Sequence, residues 1–190
     1  MMLPITAYGH PTLRKKGSEI EKNNQELQQL ISDMFETMYE SHGVGLAAQQ
    51  INKTILLFVI DASPFAEEFP EAKDFKKVFI NAEIIRQEGK EWEFEEGCLS
   101  IPGINEFVNR KSIIYISYYD EDWVFHEEEK FEGILARIIQ HEYDHTQGIL
   151  FTDRIPAFKK VLIKRKLNDI SSGKTKPAYK MIYPRKKVKK

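Results

Sequence analysis

Apolar side chains recur at every third or fourth position from Leu27 to Met38, a period that predicts an amphipathic helix packed on a core. We place the start of this helix at about Asn24, because Asn23 or Asn24 can cap it, and Gly43 lies just past its end. The apolar stripe consists of Leu27, Leu30, Ile31, Met34, Phe35 and Met38.

Three segments rich in β-branched and aromatic residues predict β-strands, namely Lys53–Asp61, Val78–Ile85 and Ser112–Asp120. The stretch between the first two, Ser63–Lys77, contains two prolines and many charges, and we expect a polar surface loop there. After Gly148, the sequence "ILFTDR" is expected to form a short strand or extended segment.

Two further helices are predicted, one over roughly Phe131–His145 and a last one over Ala157–Asp169. Helices and strands that do not alternate favour an α+β fold. We expect a single catalytic domain over residues 1–172. The remaining stretch, 173–190, is basic and contains two prolines, so we expect a flexible tail without a stable core.

The totals describe an ordinary globular chain of 190 residues, 42% of them hydrophobic. The longest apolar run, "ILLFVI", is far shorter than the roughly 20 residues that a membrane helix needs. The N-terminal stretch "MMLPITAYGHP" lacks the charged and apolar regions of a secretory signal. The single cysteine, Cys98, cannot form an internal disulfide. We therefore expect a cytoplasmic protein with a free thiol and no membrane contact. A monomeric state is a separate expectation, which these totals do not address.

The charges are unevenly distributed although the formal net charge is only −1. The stretch Lys159–Lys190 holds 13 basic residues and one acid, Asp169, whereas the rest holds 15 basic and 28 acidic residues. A basic end on an acidic body favours a polyanionic partner. A solvated, fraying terminus is the alternative.

The motif "QHEYDH" at Gln140–His145 predicts a metal site. His141 and His145 are four residues apart on a helix, and their stripe continues back through Ile138 and Ile134. Two imidazoles on an apolar face need partners, and a shared divalent cation would serve both. Glu142 lies beside this face, where H-E-x-x-H helices keep a carboxylate for proton transfer. A helix with solvated charges is the alternative interpretation.

The third ligand must lie upstream. Zinc peptidases commonly use a downstream histidine or glutamate, but no histidine follows His145 and no glutamate follows Glu142. Cys98, in "EEGCLSIPG", offers a thiolate and is the best candidate. The alternatives are the upstream histidines, which we expect at the surface or in turns: His10, His42 and His126.

A third motif, "GVGLAAQQ" at Gly43–Gln50, has small residues that let the backbone approach a ligand closely. It lacks the Gly-Lys-Ser/Thr of nucleotide-binding loops, which makes a phosphate site a weak alternative. Together, "GVGLAAQQ", "EGCLS" and "QHEYDH" resemble the three signature motifs of the peptide deformylases, in the same order. The similarity extends to "YGHPTLRKK" and "LFTDR" and covers about residues 5–155. The sequence is similar to the bacterial type with a helical C-terminus.

The resemblance implies mixed and antiparallel sheets around a central metal-binding helix, flanked by an N-terminal amphipathic helix and a C-terminal helix. It implies that Cys98, His141 and His145 hold one divalent metal, with water as the fourth ligand, and that Glu142 is the general acid and base. The family implies Fe²⁺, although this ligand set also accepts Zn²⁺, Ni²⁺ or Co²⁺.

The resemblance also assigns the groups around the substrate. The Gln50 side chain and the backbone N–H of Leu99 would stabilise the oxyanion at the formyl carbon. Glu96 would pair with Arg110 as a brace behind the ligands. The residues implied to bind substrate are Val44, Gly45, Gly97, Ile134 and Ile138, with His141 also lining the methionine pocket.

The implied activity is hydrolytic removal of the N-formyl group from N-formyl-L-methionyl nascent polypeptides, with release of formate. A general metallopeptidase is one alternative, and a non-catalytic metal-binding or formylmethionine-binding module is another. Retention of Glu142 and Gln50 favours the enzyme. Relatives of this type dock on the ribosome through a C-terminal helix. Contact with ribosomal RNA is therefore expected here through the basic tail and through the helix residues Lys159, Lys160, Lys164, Arg165 and Lys166.

Overall fold

The computed structural model describes residues 1–22 and 24–185, and its main sheet has five antiparallel strands in the order β2-β3-β4-β5-β6. Helices pack against this sheet, which confirms the expected α+β class. A small second sheet pairs β1 with β7 in parallel. The strands are β1 Ile5–Thr6, β2 Gly45–Ala47, β3 Leu57–Asp61, β4 Lys76–Glu96, β5 Glu106–Tyr119, β6 Phe125–Glu132 and β7 Met181–Ile182.

The hairpin of β4 and β5 is much longer than the sequence pattern predicts. Its pairing runs from Ile80 opposite Tyr119 to Glu96 opposite Glu106. Most of the outer half of β4, "RQEGKEWEFEE", is exposed and charged, and the alternation by which strands are recognised is confined to its last residues, "EWEFEE". The edge strand β6, "FHEEEKFE", was missed for the same reason, since charged edges are typical of exposed sheet margins.

Four α-helices complete the fold in the part of the chain that the structure describes, and two of them begin later than predicted. The side chain of Asn24 accepts the Glu26 N–H at 3.1 Å in the turn before α1, and Asn23 lies outside the described residues. Phe131 still belongs to β6, and Gly133, with φ +60°, turns the chain into α2. The helices are α1 Leu27–Glu40, α2 Gly133–Thr146, α3 Phe151–Arg154 and α4 Ala157–Ser171.

The prediction of a short strand or extended segment at "ILFTDR" was wrong, because helix α3 forms there. The Asp153 carboxylate accepts the backbone N–H of Leu150 at 2.8 Å, and this cap favours a helical turn. Helix α4 forms where the sequence predicts it. None of the helices in the described ranges is both long and apolar enough to cross a membrane.

The sheet lies between α1 and α2, and the side chains of β3 point alternately toward one helix and the other. Phe58 and Ile60 belong to the apolar cluster around α2, with Ile134 and Ile139. Their neighbours in the strand point to the opposite face, because side chains alternate across a sheet. That second cluster packs against α1, and its members include Leu57, Val59, Leu46, Ile31, Met34 and Met38.

The segment 63–77 is more structured than the surface loop expected. It contains two short 3₁₀ helices, Ser63–Phe65 and Pro70–Ala72, and its last two residues already belong to β4. Phe65 and Phe69 turn inward and pack against the α2 cluster, while most of the charged side chains stay outside.

The chain after Gly173 folds back onto the body. Strand β7 pairs with β1, with Met181 opposite Ile5, and the side chains of Met181 and Tyr183 pack on a third apolar cluster that contains Ile101 and Phe151. The expectation of no stable packing after Gly173 is therefore wrong for residues 174–185. The rest of the expected flexible tail, 186–190, lies outside the described residues.

Candidate active site

Helix α2 and the loop after β4 bring three potential metal ligands together. His141 and His145 lie one helical turn apart on α2, with ring centroids 5.1 Å from each other. Cys98 follows the end of β4, and its Sγ lies 3.3 Å from Nε2 of His145. One donor atom from each of the three residues falls within 4.8 Å of the others. These three side chains could therefore hold one metal ion.

The upstream histidines that remained as alternatives lie in other settings. Nδ1 of His10 accepts the Thr12 N–H at 3.3 Å. The His126 ring stacks on the Tyr118 ring, with their centroids 4.7 Å apart. His42 is exposed at the rim of the cleft. Among the described residues, none of these three belongs to a cluster with metal-ligand spacing.

Glu96 braces His141 from behind. One carboxylate oxygen of Glu96 lies 2.9 Å from Nδ1 of His141, which leaves Nε2 directed to the ligand cluster. Arg110 holds the same carboxylate in a two-pronged pair, Nε to Oε1 at 2.6 Å and Nη2 to Oε2 at 2.9 Å. Burial acts to raise the pKa of Glu96, but the hydrogen bonds from Arg110 and His141 outweigh it and hold that pKa well below its usual range.

Arg110 and Arg154 also hold Asp144, which lies on α2 between the two histidines. Arg110 donates to Oδ2 of Asp144 at 2.6 Å, and Arg154 donates through Nε at 2.6 Å and through Nη2 at 2.5 Å. The helix that carries the histidines is thus tied to β5 by a buried charge pair and to α3 by a partly exposed one.

Glu142 lies on the cleft side of α2 and is buried. Its Oε2 has no hydrogen-bond partner among the described residues. Burial raises the pKa of Glu142 to about 7, since the charged form is poorly solvated there. The carboxyl group can therefore both accept and release a proton near neutral pH.

The motif "GVGLAAQQ" forms the opposite wall. β2 gives way to a 3₁₀ helix, Ala48–Ile51, and this places Gln50 beside Cys98, with Nε2 3.4 Å from Sγ. The other end of the Gln50 carboxamide accepts the Ala47 N–H at 2.8 Å, which fixes its orientation. Gly45 faces Glu142 so closely that a Cβ at this position would lie 2.5 Å from Oε1 of the glutamate.

These groups surround one cleft of about 470 Å³. Gln50, Cys98, Leu99, His141 and Glu142 line it, whereas His145 and Arg110 lie behind its wall. Every residue expected to bind substrate also lines it, namely Val44, Gly45, Gly97, Ile134 and Ile138, as does Glu96.

Several lining residues were missed by sequence reasoning. Phe65 comes from the segment that the sequence predicts as a polar loop, and Phe94 from the charged half of β4. For Phe94 there was a sequence signal, the alternation of aromatic and acidic residues in "EWEFEE", which is typical of a strand with one buried face. Pro177 and Tyr179 come from the expected tail, where no local pattern marks them.

The residues present fit a divalent metal. A thiolate and two imidazoles are the donors that zinc and the first-row transition metals accept, and three protein ligands leave a position open for chemistry. The contact of Cys98 Sγ with His145 Nε2 and the Glu96 brace on His141 hold the donors in one place.

Comparison with known proteins points to one family. The family model described as polypeptide deformylase matches residues 2–161. A peptide deformylase from Christiangramia forsetii is 51% identical over 98% of both chains, and one from Flavobacterium psychrophilum is 50% identical over 98% of this chain and all of its own. The crystal structure of a peptide deformylase from Legionella pneumophila superposes with a TM-score of 0.79, at 37% identity over 92% of this chain and 98% of the other.

The matches extend over nearly the whole chain and agree with the resemblance seen in the three motifs, which is thereby confirmed. Members of this family are metalloenzymes, in keeping with the Cys98, His141 and His145 cluster. The chain belongs to the polypeptide deformylase family, hydrolases that remove the N-formyl group from nascent polypeptides.

Proposed function

We propose that the cleft hydrolyses the formyl amide of N-formyl-L-methionyl peptides, with α2 as the central metal-binding helix. The observation that carries this proposal is the buried Glu142 carboxyl, which faces the cleft within one helical turn of two ligand histidines. In the reaction, the C–N bond of the formyl amide breaks, and formate and a free α-amino group are released.

We propose Cys98, His141 and His145 as the metal ligands and ferrous iron as the metal, by analogy with the family. A bound divalent ion would act as a Lewis acid on the formyl oxygen and would lower the pKa of water. Glu96 and Arg110 support this arrangement through His141, because their buried pair fixes the orientation of the imidazole.

Glu142 acts as the proton carrier. Its carboxylate takes a proton from the attacking water and then delivers it to the leaving amine nitrogen. A pKa of about 7, raised by burial, suits both steps near neutral pH.

Gln50 and Leu99 stabilise the oxyanion that develops on the formyl oxygen. The Gln50 carboxamide is held by the Ala47 N–H, so its NH₂ group stays directed toward the reacting centre. The backbone N–H of Leu99 is the second donor. Donors fixed in advance are worth a few kcal/mol each, roughly, because they need no reorganisation during the reaction.

The apolar part of the cleft receives the methionine side chain. Val44, Ile134 and Ile138 supply aliphatic surface there, and the backbones of Gly45 and Gly97, which line the same cleft, would pair with an extended peptide. Phe65 and Phe94, which meet edge to face with centroids 6.2 Å apart, close the far end of this wall.

A formylmethionine-binding module without activity is the second candidate. It would need the apolar cleft and the ligands, but not a buried carboxyl that lines the cleft with one oxygen free of partners among the described residues. Glu142 therefore favours the enzyme.

We also propose that the protein works as a monomer in the cytoplasm and contacts ribosomal RNA through α4. Lys164, Arg165 and Lys166 are exposed on this helix, whereas Lys159 pairs with Glu106 at 3.1 Å and Lys160 donates to the Asp153 carbonyl at 2.8 Å. The exposed cations are therefore better candidates for phosphate contacts than the other two.

The test is formate release from formyl-Met-Ala by protein loaded anaerobically with iron or nickel. Steady turnover by the wild type is the expected result. Absence of formate from protein with full metal content would refute the assignment, and tight binding of the peptide without turnover would support the binding module instead.

A further inference from the structure

The segment after α4 forms part of the active-site wall. It returns alongside β1, where the N–H groups of Ile5 and Ala7 donate to the carbonyls of Lys180 and Ile182 at 2.8 Å each. Pro177 and Tyr179, which precede this pairing, line the cleft itself. The last described part of the chain is thereby fixed next to the loop that carries Cys98.

Two hydrogen bonds tie these terminal segments to the backbone that follows Cys98. The Tyr179 hydroxyl donates to the Leu99 carbonyl at 2.7 Å, and the Tyr8 N–H donates to the Ser100 carbonyl at 2.9 Å. Two successive carbonyls are thus held by segments that are themselves paired through β1 and β7. On the other side, the Ile101 N–H donates to the Cys98 carbonyl at 2.8 Å and closes the turn.

We infer that Tyr179 is a positioning residue for the hydrolysis, which fixes the Leu99 backbone so that its N–H faces the reacting oxygen. The inference rests on the proposed function, in which that N–H is an oxyanion donor. The direction of a backbone N–H depends on the dihedral angles around it. The Leu99 N–H shares a peptide plane with the Cys98 carbonyl, which accepts the Ile101 N–H, and the Tyr179 bond holds the next peptide plane. The two dihedral angles between these planes therefore have little freedom while both bonds are present.

A second tyrosine in the same segment provides a matched control. The Tyr183 hydroxyl also donates to a backbone carbonyl, that of Thr175, at 3.2 Å, and its ring is likewise half-buried. Tyr183 does not line the cleft, and its acceptor lies within the C-terminal segment. Removing either hydroxyl deletes one tyrosine–carbonyl hydrogen bond, but only the Tyr179 bond reaches the active-site loop.

The experiment compares kcat and KM for formyl-Met-Ala in the wild type, Tyr179→Phe and Tyr183→Phe, all loaded with the same metal. For Tyr179→Phe we expect kcat to fall about five- to tenfold, the effect of one net hydrogen bond. KM should stay within about twofold, because the lost interaction acts in the transition state. Tyr183→Phe should match the wild type in both constants.

Hydrogen exchange of the Ile101 amide, which donates to the Cys98 carbonyl across the turn at Leu99, supplies a readout that does not depend on turnover. The exchange rate should rise in Tyr179→Phe and stay at the wild-type value in Tyr183→Phe. An active wild type with unchanged kcat in Tyr179→Phe, or equal losses in both variants, would overturn this inference alone. An inactive wild type would overturn the proposed function and this inference with it.

Discussion

Arg110 and Glu96 form a buried two-pronged ion pair behind the candidate active site, with nitrogen–oxygen distances of 2.6 and 2.9 Å. Arg110 comes from β5, and Glu96 is the last residue of β4. The same carboxylate contacts His141 on α2, and the same guanidinium contacts Asp144. One charge pair therefore joins the long hairpin to the helix that carries two potential ligands.

Replacing Arg110 by methionine should destabilise the fold by roughly 3–5 kcal/mol, because the change removes the two-pronged partner of the buried Glu96 carboxylate and leaves it only the single hydrogen bond from Arg137 and the contact with His141. Lys111→Met is the matched control. Lys111 is the next residue on β5 and forms an exposed pair with Glu91 at 3.8 Å, so its loss should change the free energy of unfolding by less than about 1 kcal/mol.

Urea unfolding of both variants, loaded with the same metal as the wild type, measures this difference. Equal losses of stability in the two variants would contradict the importance given to the Arg110–Glu96 pair.

Glu142→Gln should reduce kcat about 100- to 10,000-fold, since an amide of the same shape cannot carry the proton. Metal content should stay at the wild-type level, because Glu142 is not a proposed ligand. Glu127→Gln, at an exposed position on β6, makes the same chemical change away from the cleft and should keep wild-type activity. Formate release under saturating formyl-Met-Ala measures the effect. A Glu142→Gln variant with full turnover would exclude Glu142 as the proton carrier.

Cys98→Ala should lose the bound metal, because it removes the thiolate from a set of three donors. His42→Ala is the control. His42 lies at the rim of the same cleft and was an alternative third ligand, yet it belongs to no ligand cluster within the described ranges. Metal analysis after anaerobic loading should find about one ion per chain in His42→Ala and almost none in Cys98→Ala. The reverse result would move the third ligand to His42.

The sequence predicts the buried parts of the fold better than its exposed parts. The apolar period of α1 and the β-branched run of β3 reflect packing on a core, and both elements form there. The outer half of β4 and all of β6 are held chiefly by pairing with β5, and their charged side chains carry no such signal. Local patterns report burial, whereas these strands depend on a partner elsewhere in the chain.

A similar division applies to the candidate site. The three motifs mark Gln50, Cys98 and His141, and the structure brings these residues to one cleft although they are far apart in sequence. Tyr179 reaches the same cleft through a hydrogen bond to a residue 80 positions earlier. The basic residues around Tyr179 predict a solvated segment without packing. The pairing of β7 with β1 is what holds this segment against the body, and no local sequence pattern indicates it.

Gly45→Ala should lower kcat about 100-fold, because its Cβ would lie 2.5 Å from Oε1 of Glu142 and would displace the carboxyl group. Gly43→Ala makes the same change two residues earlier. There the nearest atom is the terminal Cδ1 of Leu99, at 2.8 Å, and this end of a flexible side chain can move aside. Kinetics of both variants test the difference, and a crystal structure of Gly45→Ala would show whether Glu142 has moved. Equal activity of the two variants would contradict this close-packing argument.

Replacing Lys164, Arg165 and Lys166 by glutamine should weaken ribosome binding on the order of tenfold to a hundredfold at physiological salt, because each phosphate contact releases counterions. The plot of log affinity against log salt should also lose about one unit of slope for each contact removed.

Point variants are required, since deletion from residue 174 would remove β7 and the Tyr179 contact with Leu99. The charge-matched control replaces three exposed lysines away from α4, Lys53, Lys73 and Lys90. Sedimentation of the protein with purified ribosomes over a range of salt concentrations measures both quantities. If the control lost as much affinity as the α4 variant, the binding would reflect overall charge, and a specific role of α4 would be excluded.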